Sequence, residues 1–146
     1  ADAPRPRDHF HAVVLDGKIY AAGGRRSSAD QKQPLALTIP EMDVYDIAAD
    51  RWTTADAPIP TPRAGVSVVT VGKLVVVMGG ESGIQVPAHA EVEAYDPAKG
   101  NWTTLAPLPV GRHGMQAVKV GDRVHVLAGS RGGGPELNDH WIMSGF

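Results

Sequence analysis

His9 and His11 stand two residues apart, a spacing that on a β-strand puts both imidazoles on one face as a candidate ligand pair. No third ligand is indicated, so no metal site is expected. Three arginines, Arg7, Arg63 and Arg112, each stand sixteen residues before a doublet: Gly23-Gly24, Gly79-Gly80 and Ala128-Gly129. A guanidinium carries five N–H donors, enough to bind several loop carbonyls or, as one of a ring, to make a channel mouth positive. The first reading is simpler, because a residue repeated at one place is explained by a repeated framework. Four residues after the arginines come His11, Ser67 and Gln116, all polar; one residue after them come Asp8, Ala64 and His113. The segments after the doublets repeat neither in length nor in charge: Arg25-Arg26-Ser27-Ser28 continuing to Pro40, Glu81-Ser82-Gly83-Ile84-Gln85, and Ser130-Arg131-Gly132-Gly133-Gly134. Binding specificity is expected where copies of a framework differ. The candidate binding residues are therefore Arg25, Arg26, Ser27, Arg131, His113, His11, Ser67 and Gln116. The arginines among them favour a ligand with carboxylate or other anionic groups, through paired hydrogen bonds; the plain alternative is that Arg25 and Arg26 are solvated charges on a loop.

No catalytic residue is expected, and no cofactor. The chain has no cysteine, which removes a thiolate nucleophile, a disulfide framework and a cysteine zinc site but leaves the compartment open. Gly132-Gly133-Gly134 lacks the Lys-Ser or Lys-Thr of a phosphate loop and reads as a flexible turn.

The elements that must position these residues are short strands. With 42% hydrophobic and 21% charged residues and a net charge of -2, the chain is an ordinary globular polypeptide, not a disordered tail. Its 17 Gly and 12 Pro demand frequent turns and argue against a helical bundle. The longest aliphatic run, Leu74 to Met78, is far below the roughly 20 residues a bilayer requires. Basic residues are not clustered, which excludes a nucleic-acid surface. Each arginine is preceded at three residues by a proline, Pro4, Pro60 or Pro109, and the steps between doublets set a repeat of about 50 residues. Ala12 to Leu15, Val66 to Val71 and Met115 to Val120 run through Gly17, Gly72 and Gly121 into the strands that end at the doublets, so each copy opens with a hairpin. A third strand carries Val44-Tyr45 or Ala94-Tyr95, and a short fourth carries Trp52 or Trp102, seven residues beyond the tyrosine both times. Between them, Asp96-Pro97-Ala98-Lys99-Gly100-Asn101 reads as a tight turn with an aspartate cap and a positive φ at Gly100. No stretch holds a 3.6-residue period, and no helix is placed.

These marks together, Gly23-Gly24 and Gly79-Gly80 after aliphatic strands, Tyr-Asp followed by Trp, and Pro-rich segments ending in Arg, resemble the kelch family over nearly the whole chain. The resemblance implies an all-β protein, each repeat one four-stranded antiparallel blade of a β-propeller, with the first strand innermost along a central channel and the tryptophan strand outermost. Gly23, Gly24, Gly79, Gly80, Gly129, Tyr45, Tyr95, Trp52, Trp102 and the three arginines are then structural. The third copy departs most: Ala128 replaces the first glycine, Val76 and His125 stand where the first copy has Tyr20, and Ile142-Met143 stand where tyrosine is expected. One kelch-repeat segment is expected over 1–146, with repeats near 1–55, 56–105 and 106–146. The third copy reads only to its third strand, and Ala1-Asp2-Ala3-Pro4 echoes Ala55-Asp56-Ala57-Pro58. A closed propeller has 4 to 8 blades, so about three blades imply a partner, either a second copy giving six or a chain carrying the rest, unless the sequence is a fragment of a longer chain. The implied function is a binding scaffold presenting loops and channel-mouth residues to a protein, peptide or glycan. One alternative is a carbohydrate-active enzyme using His11, Ser67, Gln116 and His113. Relatives of the galactose-oxidase type need a cysteine that this chain lacks, and no set for the sialic acid mutarotase kind is identified. A second alternative is a self-assembling half-propeller with no separate ligand. Neither membrane nor nucleic acid is an expected partner.

Overall fold

The computed structural model describes residues 1–27, 36–83, 87–133 and 136–146; Ser28, Ile84, Gln85 and Gly134 of the doublet loops lie outside the described residues. Among the described residues, eleven strands form three antiparallel sheets in chain order. The first comprises β1 (His11–Leu15), β2 (Lys18–Ala22), β3 (Asp43–Asp46) and β4 (Arg51–Thr54). The second comprises β5 (Ser67–Val71), β6 (Leu74–Met78), β7 (Val92–Asp96) and β8 (Asn101–Thr104). The third holds β9 (Gln116–Val120), β10 (Arg123–Leu127) and β11 (His140–Met143). No α-helix occurs among the described residues, and no helix is long and apolar enough to cross a membrane.

The local chemistry accounts for each sheet. The run Leu-Val-Val-Val-Met of β6 is apolar on both faces because its sheet is covered on both sides: Val75 and Val77 join one core, Val76 and Met78 the other. Registers Tyr45↔Trp52 and Tyr95↔Trp102 explain the seven-residue spacing as a cross-strand pair around a tight turn, with ring centroids 5.1 and 5.2 Å apart. In that turn Asp96 Oδ1 accepts the Ala98 N–H at 2.9 Å and Gly100 takes φ +66°; Asp46 and Asp50 serve the same two places in the first sheet. The third sheet puts Met143 opposite Val124, as Tyr95 stands opposite Val75, so Met143 holds the tyrosine place and Trp141 is not a copy of Trp52.

Two cores join the sheets. Tyr20, Ala22, Met42 and Val44 of the first sheet pack against Ile59, Val66, Val68, Val75 and Val77 of the second. Val69, Val76, Met78, Val92 and Ala94 of the second pack against Leu108, Met115, Ala117, Val124 and Val126 of the third. The same three hydrogen bonds stitch both joints. Gly24 N–H donates to the Arg63 carbonyl and Gly80 N–H to the Arg112 carbonyl, at 3.0 and 2.7 Å. Gly65 N–H donates to the His9 carbonyl and Gly114 N–H to the Gly65 carbonyl, at 2.7 and 2.9 Å. Val68 N–H donates to His11 Nδ1 and Ala117 N–H to Ser67 Oγ, at 3.1 and 2.8 Å.

Alignment of the arginines corrects one expectation. Trp52 Nε1 donates to the Ala1 carbonyl and Trp102 Nε1 to the Ala57 carbonyl, so Ala1 matches Ala57, as the prolines require, and not Ala55.

Candidate functional site

The three arginines lie inside the blades. Arg63 and Arg112 are fully buried, and Arg7 nearly so. Each donates to the carbonyl sixteen residues on: Arg7 to Gly23, Arg63 to Gly79 and Arg112 to Ala128, at 2.9, 2.6 and 3.0 Å. Each also holds a carboxylate that the sequence reading missed. Arg7 pairs with Asp43, Arg63 with Glu93 at 2.5 Å, and Arg112 with Asp139 at 2.6 Å. Asp43 and Glu93 both stand two residues before the blade tyrosine, which was the available signal. In the third sheet Trp141 fills that place, and the acid moves two residues back, to the same face, where Trp141 Nε1 donates to it at 2.7 Å. Hydrogen bonds from Arg112, opposed by partial burial and helped by Trp141, bring the Asp139 carboxyl down to about 2. Burial lowers the Arg7 pKa despite Asp43. Buried, paired guanidinium groups make no ring of charge at a channel mouth.

The candidate binding residues divide. His11 and Ser67 are inter-blade stitches: their acceptors are taken by the backbone of the next blade, and Ser67 is fully buried. Gln116 occupies the same place in the third blade and is exposed. His9 and His11 do not converge, since His9 sits outside β1 at φ +53° with its Nδ1 on Asp8, whereas His11 Nδ1 faces Val68.

Arg25, Ser27 and His113 do meet, in a row of polar groups crossing all three blades. Each blade pairs the residue after its arginine with the residue after its doublet, Asp8 with Arg25, Ala64 with Glu81 and His113 with Ser130. Asp8 Oδ1 lies 3.7 Å from Arg25 Nε, Arg25 Nη1 donates to Glu81 Oε1 at 2.6 Å, and Glu81 Oε2 lies 3.6 Å from His113 Nδ1. Ser27 donates to Asp8 through both its N–H and its hydroxyl. Partial burial raises the Asp8 pKa, but these bonds and His9 outweigh it and hold the carboxyl below its usual range.

Arg26 points elsewhere. With Arg5, Pro6, Thr38, Ile39, Pro40 and Glu41 it lines a cavity of about 360 Å³; the Arg5 guanidinium is paired there, Nη1 3.2 Å from Glu41 Oε2 and Nη2 3.3 Å from Asp43 Oδ1, and Nη2 donates to Thr54 Oγ1 at 3.0 Å. The Arg131 side chain is exposed on the third blade; its carbonyl accepts the Ala88 N–H.

A further polar set is new: Ser82 Oγ lies 2.8 Å from His89 Nε2, and His89 Nδ1 lies 3.1 Å from Glu91 Oε2. Ile39 and Leu137 hold the His89 place in the other blades, bonding the same doublet carbonyl. The order hydroxyl, imidazole, carboxylate is that of a nucleophile with its base, but His89 is 1% exposed and Ser82 5%. This closed chain anchors the second doublet loop. Among the described residues no group of three or more His, Asp or Glu could hold a metal ion.

Comparison with known proteins places this geometry. Residues 1–133 match the family described as the KLHDC2/KLHL20/DRC7 Kelch-repeats domain. The Kelch-like protein terF of Aspergillus terreus is 31% identical over 107 residues, covering 72% of this chain and 22% of that protein. Beta-scruin of Limulus polyphemus is 32% identical over 109 residues, covering 71% of this chain and 11% of that protein. The solved structure of YjhT aligns with a TM-score of 0.84 at 17% identity, over 99% of this chain and 51% of that one. This chain thus spans a quarter or less of these two relatives and about half of the solved structure.

Proposed function

Because this chain belongs to the kelch-repeat family, we propose that it is a binding scaffold whose first-blade cavity receives an acidic side chain or terminal carboxylate of a protein or peptide partner. Kelch-repeat domains serve as protein-interaction scaffolds, and the family membership supports that role here. The observation that carries the specific reading is that two guanidinium groups, Arg5 and Arg26, line the same cavity. A guanidinium in a half-buried site binds a carboxylate through two parallel hydrogen bonds more strongly than an exposed one does. Arg25 does not line the cavity and is committed to Glu81 and Asp8. A closed propeller has 4 to 8 blades, so further blades complete the ring to which these contribute.

A peptide and glycan array, followed by calorimetry on its hits, tests the reading. Acidic peptides are expected to bind, Arg26→Ala to weaken them tenfold or more, and Arg25→Ala to weaken them less. Binding that is indifferent to Arg26→Ala would overturn the cavity, and hits confined to neutral glycans would overturn the carboxylate.

A further inference from the structure

One place on the blade framework changes character between the two joints inside this chain. Strand register aligns Lys18, Tyr20 and Val44 of the first blade with Leu74, Val76 and Ala94 of the second. Ala55 N–H donates to the Met42 carbonyl as Leu105 N–H donates to that of Val92, so Ala55-Asp56 align with Leu105-Ala106. Tyr95 faces the first joint as Met143 faces the second. At the second joint the set is apolar: Leu74, Leu105 and Met143 pack on a core that holds Val76 and Ala94. The cavity beside Leu105, Ala106 and Met143 is about 90 Å³. At the first joint the same positions carry Lys18, Tyr20, Asp56 and Tyr95, which together with Thr53 and Thr54 line a cavity of about 160 Å³. The framework thus builds this part of a joint without polar groups, and their presence in one seam has a separate cause.

The floor of this cavity is buried and short of partners. Tyr20 and Tyr95 are 5 and 6% exposed, and among the described residues neither hydroxyl makes a hydrogen bond, although a buried tyrosine hydroxyl usually does. In the first blade the Tyr45 hydroxyl donates to Asp50 Oδ1 at 2.7 Å; Gly100 holds the Asp50 place in the second blade, so the Tyr95 hydroxyl is left to the cavity. Burial raises both phenols, Tyr20 further through Tyr95 and Asp16, and Tyr95 further through Asp56 and Asp96. Both therefore stay protonated at neutral pH and able to donate. At the rim Lys18 and Asp56 are exposed, and among the described residues neither side chain has an ion-pair partner. No residue of the doublet loops lines the cavity. Its walls are adjacent blades of this chain, so the site does not depend on what meets the outer faces of the first and third blades.

We propose that the seam between the first two blades binds a neutral ligand with adjacent hydroxyl groups, a single sugar ring or a cyclic polyol. The Lys18 ammonium only donates, the Asp56 carboxylate only accepts, and each phenol does both. A hydroxyl answers all of them, donating to the carboxylate while accepting from an ammonium or a phenol. The two rim charges cancel, so a net charge on the ligand gains nothing: an anion drawn to Lys18 meets Asp56, and a cation drawn to Asp56 meets Lys18. The volume lies below the roughly 300–1,000 Å³ of pockets for drug-sized ligands and suits one ring, not a peptide segment. This site shares no lining residue with the cavity around Arg26 and takes a different class of ligand.

Backbone amide shifts of the isotope-labelled full chain, titrated separately with D-glucose, D-galactose, myo-inositol and glycine, read both binding and its place. At least one of the three polyols should shift the amides of Tyr20, Thr53, Asp56 and Tyr95 at millimolar concentration. A response to the hexoses alone, or to inositol alone, supports the site and tells the two sources apart. Asp56→Ala installs the residue that the second joint carries, and should raise the dissociation constant at least tenfold; Tyr95→Phe should raise it at least threefold. Tyr95→Phe also separates a ligand group from a framework group. Its hydroxyl has no partner in the fold, so the variant should melt at the wild-type temperature or above. A lower melting temperature would assign the hydroxyl to the fold and overturn the site. So would the absence of a shift with all three polyols, shifts gathered away from these residues, a response to zwitterionic glycine alone, or polyol affinity unchanged in both variants.

Discussion

Glu93→Ala should be among the most damaging single changes in the second blade, for a reason that is electrostatic and local. Arg63 has no solvent exposure, and its guanidinium donates to the carbonyls of Thr61, Val77, Gly79 and Glu91 as well as to Glu93. Those carbonyls remain in the variant, but the only carboxylate hydrogen-bonded to Arg63 among the described residues is gone. An uncompensated buried charge of this kind costs about 3–5 kcal/mol, and the Thr61 hydroxyl, which donates to Glu93 Oε1 at 2.8 Å, loses its acceptor as well. A chain of this size has about 7–20 kcal/mol of total stability, so the variant should still fold, with its melting temperature lowered by about 10–15 °C. Urea denaturation followed by tryptophan fluorescence and by circular dichroism measures the difference. Glu93→Gln keeps the side-chain shape and one acceptor oxygen for Arg63, while the Thr61 hydroxyl can turn to accept from the amide, and it should cost less. The double change Arg63→Met with Glu93→Leu removes both charges and should recover most of the loss. A loss below about 1 kcal/mol for Glu93→Ala would refute the claim that Arg63 depends on this partner.

Gly79→Val should cost about 3–5 kcal/mol by thermal melting, because φ is +63° and the added Cβ would stand 2.5 Å from Met115 Cε and closer still to the Arg112 carbonyl. Ser67→Ala leaves the Ala117 N–H without its acceptor at a dry joint, and should cost about 1–3 kcal/mol in urea. The Asp139 carboxyl lies at about 2 against an ordinary 3.8, a lowered folded value, so its contribution is complete above about pH 4 and is lost as pH falls through about 2. The stability gap between wild type and Asp139→Asn should therefore be flat from pH 7 to about 5 and close on acidification, read from urea midpoints at each pH. A gap that widens in acid would contradict the Arg112 pairing.

Much of the framework can be read in the sequence because its marks are backbone demands. Glycine at a positive φ, a proline before an arginine and a tyrosine seven residues from a tryptophan each have one geometric cause. The carboxylates were harder, since Asp139 has slipped two places relative to Asp43 and Glu93, and only the strand register shows that Trp141 displaced it. His11 and Ser67 looked like variable channel residues because their types differ, yet the joint asks only for an acceptor, which an imidazole nitrogen and a hydroxyl supply equally. Arg25 and Arg26 are neighbours in sequence, but one aims across the blades at Glu81 and the other lines the first-blade cavity. The strip from Asp8 to His113 was invisible as a unit because it is assembled from three blades.

The sixteen-residue reach from each arginine to its doublet carbonyl acts as a ruler laid along the first hairpin of every blade. An added or deleted residue between Arg63 and Gly79 would pull the guanidinium off its carbonyl and turn alternate side chains of β5 or β6 to the opposite core. Between the doublet and the third strand no such gauge applies. The step from Arg7 to Arg63 is already longer than that from Arg63 to Arg112, and the difference falls after the doublet. Length variation in this chain is thus confined to one side of each blade, so loops can be exchanged or extended there without renegotiating the packing that holds the blades together.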